Sequence, residues 1–149
     1  MNAKELAEIY AKAIQNKLSM SCEIDAENRV VLKLPVFGAC FFSFEETDPE
    51  YLLLRRINCV DQSLTGGDKA QLMELVNRIN MMNKGVKLYV EEGVDGKSFV
   101  NASVECVVAG PKMAPTQEHI EAIIERIINL LTSGLLRLHE LAEENPNSF

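Results

Sequence analysis

The sequence predicts an α+β domain: an antiparallel sheet of five to six strands with helices packed on it, in the order α-β-β-β-β-α-β-β-α. Three observations carry this. Apolar residues recur at helical spacing near both termini and again over 68–82. Between these stretches the pattern changes to strict alternation, most clearly at Val86, Leu88 and Val90 and at Val100, Ala102, Val104 and Cys106. The alternating runs are joined by short polar turns such as Gly93-Val94-Asp95-Gly96, which favours antiparallel pairing.

Residues 2–18 read as a helix on Ala3, Leu6, Ala7, Tyr10, Ala13, Ile14 and Leu18, with Asn2 as cap and Glu5 as its complement three residues on. The alanine-rich face allows close approach to a sheet. Residues 20–34 read as a hairpin, with Met20, Cys22 and Ile24 alternating before the turn Asp25-Ala26-Glu27-Asn28 and Val30, Leu32 and Leu34 after it. Pro35 closes that strand.

Val36 to Phe44 reads as a strand from its aromatic and β-branched content, but its apolar residues fall on both faces. A polar turn over 45–50 follows, then Tyr51 to Cys59, again apolar on both faces at its start. A helix is an alternative for 49–57, because Asp48 and Pro49 are good helix-start residues; the strand is preferred.

The middle helix, Asp68 to Met82, puts Leu72, Leu75, Val76, Ile79 and Met82 on one face. Asn83 and Gly85 stand where it ends, both tolerant of the left-handed conformation of a C-cap. The last helix begins near Thr116, after Pro111 and Pro115, and holds its period through Ile120, Ile123, Ile124, Ile127, Leu131, Leu135 and Leu138. Gly134 is expected to bend or break it. Glu140, Glu143 and Glu144 oppose the helix dipole, so its last turn is expected to fray. Residues 1–144 are thus expected to form one domain, and 145–149 a loose tail.

Composition narrows the function. With 149 residues and 47% apolar content the chain can bury one substantial core. A formal net charge of -7 repels nucleic-acid backbones and anionic membrane surfaces on average, so neither is expected as a partner. Arg55-Arg56 is the one basic pair inside an apolar run. The N-terminus lacks an apolar signal region and no stretch approaches membrane-spanning length, which predicts a cytoplasmic protein. Cys22, Cys40, Cys59 and Cys106 are dispersed, with no C-x-x-C pair, and read as small buried hydrophobes rather than metal or redox groups.

No catalytic constellation is visible. Gly96-Lys97-Ser98 resembles the end of a phosphate-binding loop, but the glycine required five residues earlier is Glu91, and a strand rather than a helix follows. Thr65-Gly66-Gly67-Asp68 reads as a loop and N-cap. His119 and His139 lie roughly 30 Å apart along one helix, so they cannot share a site, and both read as surface residues. Asn77, Asn80 and Asn83 recur every three residues; Asn80 is placed to bond a neighbouring strand or loop backbone. No catalytic residue, cofactor or metal is expected, and the chain does not read as an enzyme.

The run Val76-Asn77-Arg78-Ile79-Asn80-Met81-Met82-Asn83, followed by Val86-Lys87-Leu88-Tyr89-Val90, resembles the YbjN family of small bacterial domains, in which a helix with a hydrophobic-Asn-x-hydrophobic-Asn pattern runs into a strand. The element order also resembles the type III secretion chaperone fold. The resemblance implies a non-enzymatic protein-binding role, chaperone-like or sensory and regulatory. The doubly apolar strand 36–44 and Gly134 depart from the family pattern.

The two doubly apolar strands suggest how partners bind. If Phe41 and Leu52 face the helices, Phe42, Phe44 and Leu53 face water. These three are the candidate protein-binding residues, with a second copy of the chain as the expected partner. The alternative is that the last helix folds back over them. The competing function is a small-molecule binder or small enzyme with a pocket between helix and sheet.

Overall fold

The computed structural model describes residues 1–144; the expected tail lies outside the described residues. Helix α1 (Ala3–Leu18) leads into strands β1 (Cys22–Ile24), β2 (Val30–Leu34), β3 (Gly38–Ser43) and β4 (Tyr51–Asp61). A short 3-10 turn (Gln62–Thr65) precedes α2 (Lys69–Met82), and β5 (Val86–Glu92), β6 (Ser98–Val107) and α3 (Gln117–Glu144) complete the chain. The fold class and element order are those expected from sequence, and 51–61 is a strand.

All neighbouring strands pair antiparallel, in the order β1-β2-β3-β4-β6-β5. Each helix packs on the same face. α1 lies against α3, β1 and β2, while α2 lies against β5 and α3. The core fills the space between helices and sheet, with Tyr10, Ile14, Leu32, Phe42, Leu52, Leu54, Leu75, Ile79, Ile120 and Leu131 nearly or wholly removed from water.

Local chemistry accounts for the ends of the elements. Asn2 and Glu5 form a reciprocal capping box on α1: the Glu5 amide donates to Asn2 Oδ1, and the Asn2 amide to Glu5 Oε2, each at 2.9 Å. Asp68 caps α2 by accepting from the Gln71 amide. At the other end Asn83 stays extended and closes α2 with its side chain, which donates to the Ile79 carbonyl at 3.1 Å. The left-handed position falls on Gly85 alone.

Gly134 does not break α3, which runs unbroken through it. A Cβ there would meet the Val86 methyls at 2.7 and 2.9 Å, so this glycine lets the helix settle directly on β5.

Candidate interaction surface

Pairing register decides which way each strand faces. Val30 stands opposite Phe42, which stands opposite Leu54, which stands opposite Val104. All four are buried under the helices. The adjacent row, Val31, Phe41, Arg55, Ser103 and Lys87, therefore lies on the outer face, which no helix covers. The sheet thus has one face in the core and one free of helices.

This corrects the expected facing of the doubly apolar strands. Phe42 is fully buried, its ring 5.4 Å from Tyr10, because its neighbours Val30 and Leu54 belong to strands with a clear inner set. Phe44 is half-buried against the same tyrosine at 4.8 Å. Neither offers an outward surface. Phe41, expected inside, is outside. Of the three candidates only Leu53 lies on the outer face, opposite Ser43 and Glu105.

The apolar part of the outer face clusters at the Tyr51 end. Tyr51 is 52% exposed and Val107, its partner across the β4–β6 pair, is 60% exposed. Leu53 follows on the same face of β4, half-buried, and Phe41, also half-buried, lies further along, opposite Arg55. A hollow of about 430 Å³ opens here, lined by Ser43, Glu45, Asp48, Tyr51, Leu53 and Glu105 among others. Acidic and hydroxyl side chains share this hollow with the apolar Tyr51 and Leu53.

Towards the centre the face becomes charged. The Arg29 guanidinium stacks 4.8 Å above the Phe41 ring and is held by Asp25 at 2.8 Å. Hydrogen bonds from Arg29 and from the Glu27 amide hold the Asp25 carboxyl below its ordinary range. Lys87 pairs with Glu105 at 2.8 Å. Asn101 is buried between them and the bulge in β4: its side chain donates to Glu91 at 2.6 Å and accepts from the Asn58 amide at 3.0 Å. Arg55 differs from Arg29 and Lys87. Among the described residues it has no carboxylate partner, and its buried Nε, like the buried hydroxyls of Ser43 and Ser103, has no hydrogen-bond partner.

The remaining sequence candidates are placed as structural groups. Gly96 occupies the turn of the β5–β6 hairpin in a left-handed conformation, and the Gly96 amide donates to the Gly93 carbonyl at 3.0 Å. His119 and His139 are both exposed. Among the described residues no three histidine, cysteine or carboxylate side chains are grouped to hold a metal. Asn80 clasps β5: its amide nitrogen donates to the Leu88 carbonyl and its oxygen accepts from the Leu88 amide, each at 2.9 Å. It thereby satisfies the outer edge of the sheet at that residue, as another strand would. Arg55, Ser103 and Asn101 escaped sequence reasoning. The available signal was the Arg55-Arg56 pair, whose two members point to opposite faces of a strand.

No family model and no curated protein matches the sequence. Solved structures do resemble it. YbjN, a candidate transcription regulator from E. coli, is 14% identical, with a TM-score of 0.60 over 93% of this chain and 92% of that one. The HopA1–SchA chaperone–effector complex matches with a TM-score of 0.59 at 14% identity, over 92% of this chain and 95% of that one. An uncharacterized protein from Methanothermobacter thermautotrophicus matches with a TM-score of 0.60 at 11% identity, covering 97% and 99%. At such identities the likeness concerns architecture, and the chain has a YbjN-like, type III secretion chaperone-like fold.

Proposed function

We propose that this chain is a non-enzymatic protein-binding module, chaperone-like or regulatory, that works through the outer face of its sheet as one domain spanning residues 1–144. The observation that carries this is the asymmetry of the sheet. Every helix lies on one face, and the other bears Tyr51, Leu53, Phe41 and Val107 beside a row of charges. Two fold neighbours support it: one is a chaperone in complex with its effector, the other a candidate regulator.

The first partner of this face is a second copy of the chain, giving a homodimer. Burying one leucine or phenylalanine contributes about 1.5–3 kcal/mol, so three or four such groups per copy offset the cost of association. A net charge of -7 supports a partner other than nucleic acid or membrane. Among the described residues no helix is long and apolar enough to cross a membrane. Four free thiols support a cytoplasmic setting.

Light scattering on the parent, on Tyr51→Glu with Leu53→Glu, and on Phe42→Glu tests the reading. The parent is expected to be a dimer and the outer-face pair a folded monomer, while Phe42→Glu unfolds. A monomeric parent would defeat the dimer.

A second reading, a small-molecule site, draws on a cleft of about 460 Å³ between the end of α3 and the β3–β4 region, lined by Phe37, Arg56, Cys59, Leu135 and His139 among others. Its mixed lining of apolar walls and one guanidinium suits a small anion with an apolar body.

A further inference from the structure

We propose that the two copies stack their outer sheet faces about a two-fold axis that sets Arg55 of each against Glu105 of the other; this rests on the protein-binding reading above. The pairing of β4 with β6 places four outer-face residues at the corners of a rectangle. Leu53 is opposite Glu105 and Arg55 is opposite Ser103. The sides are about 7 Å along the strands and about 5 Å between them. Arg55 and Glu105 therefore occupy one diagonal. A two-fold axis between the stacked sheets, bisecting that diagonal, carries each Arg55 onto the other copy's Glu105. It also brings each Leu53 to within a few Å of its counterpart and crosses the strands of the two sheets at about 70°, near the orthogonal class of sheet packing.

Charge selects this arrangement. Of the two other cations around Phe41 and Ser103, Arg29 has Asp25 and Glu27, and Lys87 has Glu105. Arg55, flanked in register by Phe41 and Ser103, is left without a carboxylate among the described residues, and its buried Nε is unpartnered, as is the Ser103 hydroxyl. Covering such a guanidinium with apolar surface is unfavourable, whereas a planar carboxylate matches its fork. Glu105 is exposed and held upright by Lys87, so it can serve a second cation without losing the first.

Charge reversal with mixing tests this, read as dimer dissociation by light scattering over a dilution series. R55E alone and E105R alone each face a like charge across the axis and are expected to weaken the dimer by at least about tenfold. Mixed in equal amounts they are expected to recover parental affinity to within about threefold, because each reversed charge then meets its opposite in the other chain. Recovery on mixing cannot arise from a contact within one chain. A mixture that stays dissociated, or a single variant that dimerises like the parent, overturns the register. If the Tyr51→Glu, Leu53→Glu pair breaks the dimer while R55E does not, the surface stands and only this contact fails. A parent that is monomeric and captures a client protein on the same face overturns the second copy as occupant. Should R55E or E105R not fold, R55Q and E105Q replace them, with weakening of the dimer expected from each.

Discussion

At the scale of single residues, one position decided what could be read from the sequence. Phe41 and Phe42 are chemically identical, and in a strand with apolar residues on both faces nothing local distinguishes them. The difference lies in their partners: Phe42 is paired with Val30 and Leu54, Phe41 with Val31 and Arg55. Facing was therefore a non-local property, legible only once β2 and β4 were set in register. Of the four thiols expected to be buried, Cys40 is, whereas Cys22, Cys59 and Cys106 are half-buried. Burial pushes Cys40 up to about 12 and Cys59 up to about 11, and raises Cys22 and Cys106 as well. A thiol whose folded pKa lies above its unfolded value stabilises the fold fully below the unfolded value, near 9, and loses that contribution as pH rises towards the folded value. Stability should thus fall between pH 9 and about 12, by up to about 1.4 kcal/mol per pH unit for Cys40 alone. Urea midpoints at pH 8 and pH 10.5 check this, and Cys40→Ala should flatten the slope. An unchanged slope would mean that Cys40 is no more shielded in the fold than in the unfolded chain.

At the scale of elements, the helices were legible because their period is local. Leu72, Leu75, Val76 and Ile79 announce α2 within a few turns, and all four are buried. Loop and cap chemistry was legible for the same reason, including Asp68 and the Asn2–Glu5 box. Asn80 was legible as a group that bonds a neighbouring backbone, though not that Leu88 supplies it. What sequence could not show is how closely elements approach. Gly134 reads as a helix weakener, yet it is the point where α3 meets Val86. Replacing it with alanine therefore sets two effects against each other. Helix propensity favours alanine by about 1 kcal/mol. Against this, the new Cβ would sit 2.7 Å from a buried, β-branched valine on a paired strand, where overpacking costs about 1–3 kcal/mol. Overpacking is the larger effect, so Gly134→Ala should lower the melting temperature, and Val86→Ala in the same chain should restore part of the loss. A stabilised single variant would show that α3 can lift away from β5 at little cost.

At the scale of the whole molecule, the question is whether the chain is one cooperative unit. The chain order would allow two halves, a first with α1 and β1–β4 and a second with α2, β5, β6 and α3. The packing does not divide there. α3 crosses from β5 and α2 to α1, and one continuous cluster of buried residues runs from Ala7 through Phe42 and Val104 to Ala142. The β4–β6 pair stitches the halves across the centre of the sheet, with partners from Tyr51↔Val107 to Asp61↔Phe99. Removing residues 1–18 would uncover Val30, Leu32 and Phe42, each buried at present, and leave α3 without the helix that covers its other flank. Four or five large side chains returned to water represent a loss of about 6–15 kcal/mol, comparable to the whole stability of a domain this size. The truncated chain is therefore expected to be unfolded throughout, with amide protection lost from β5 and α2 as fully as from β2. Hydrogen exchange on the truncated chain measures this directly. Retained protection in α2, β5, β6 and the first half of α3 would instead reveal a second half that folds by itself, and residues 1–144 would then be two cooperative units sharing one sheet.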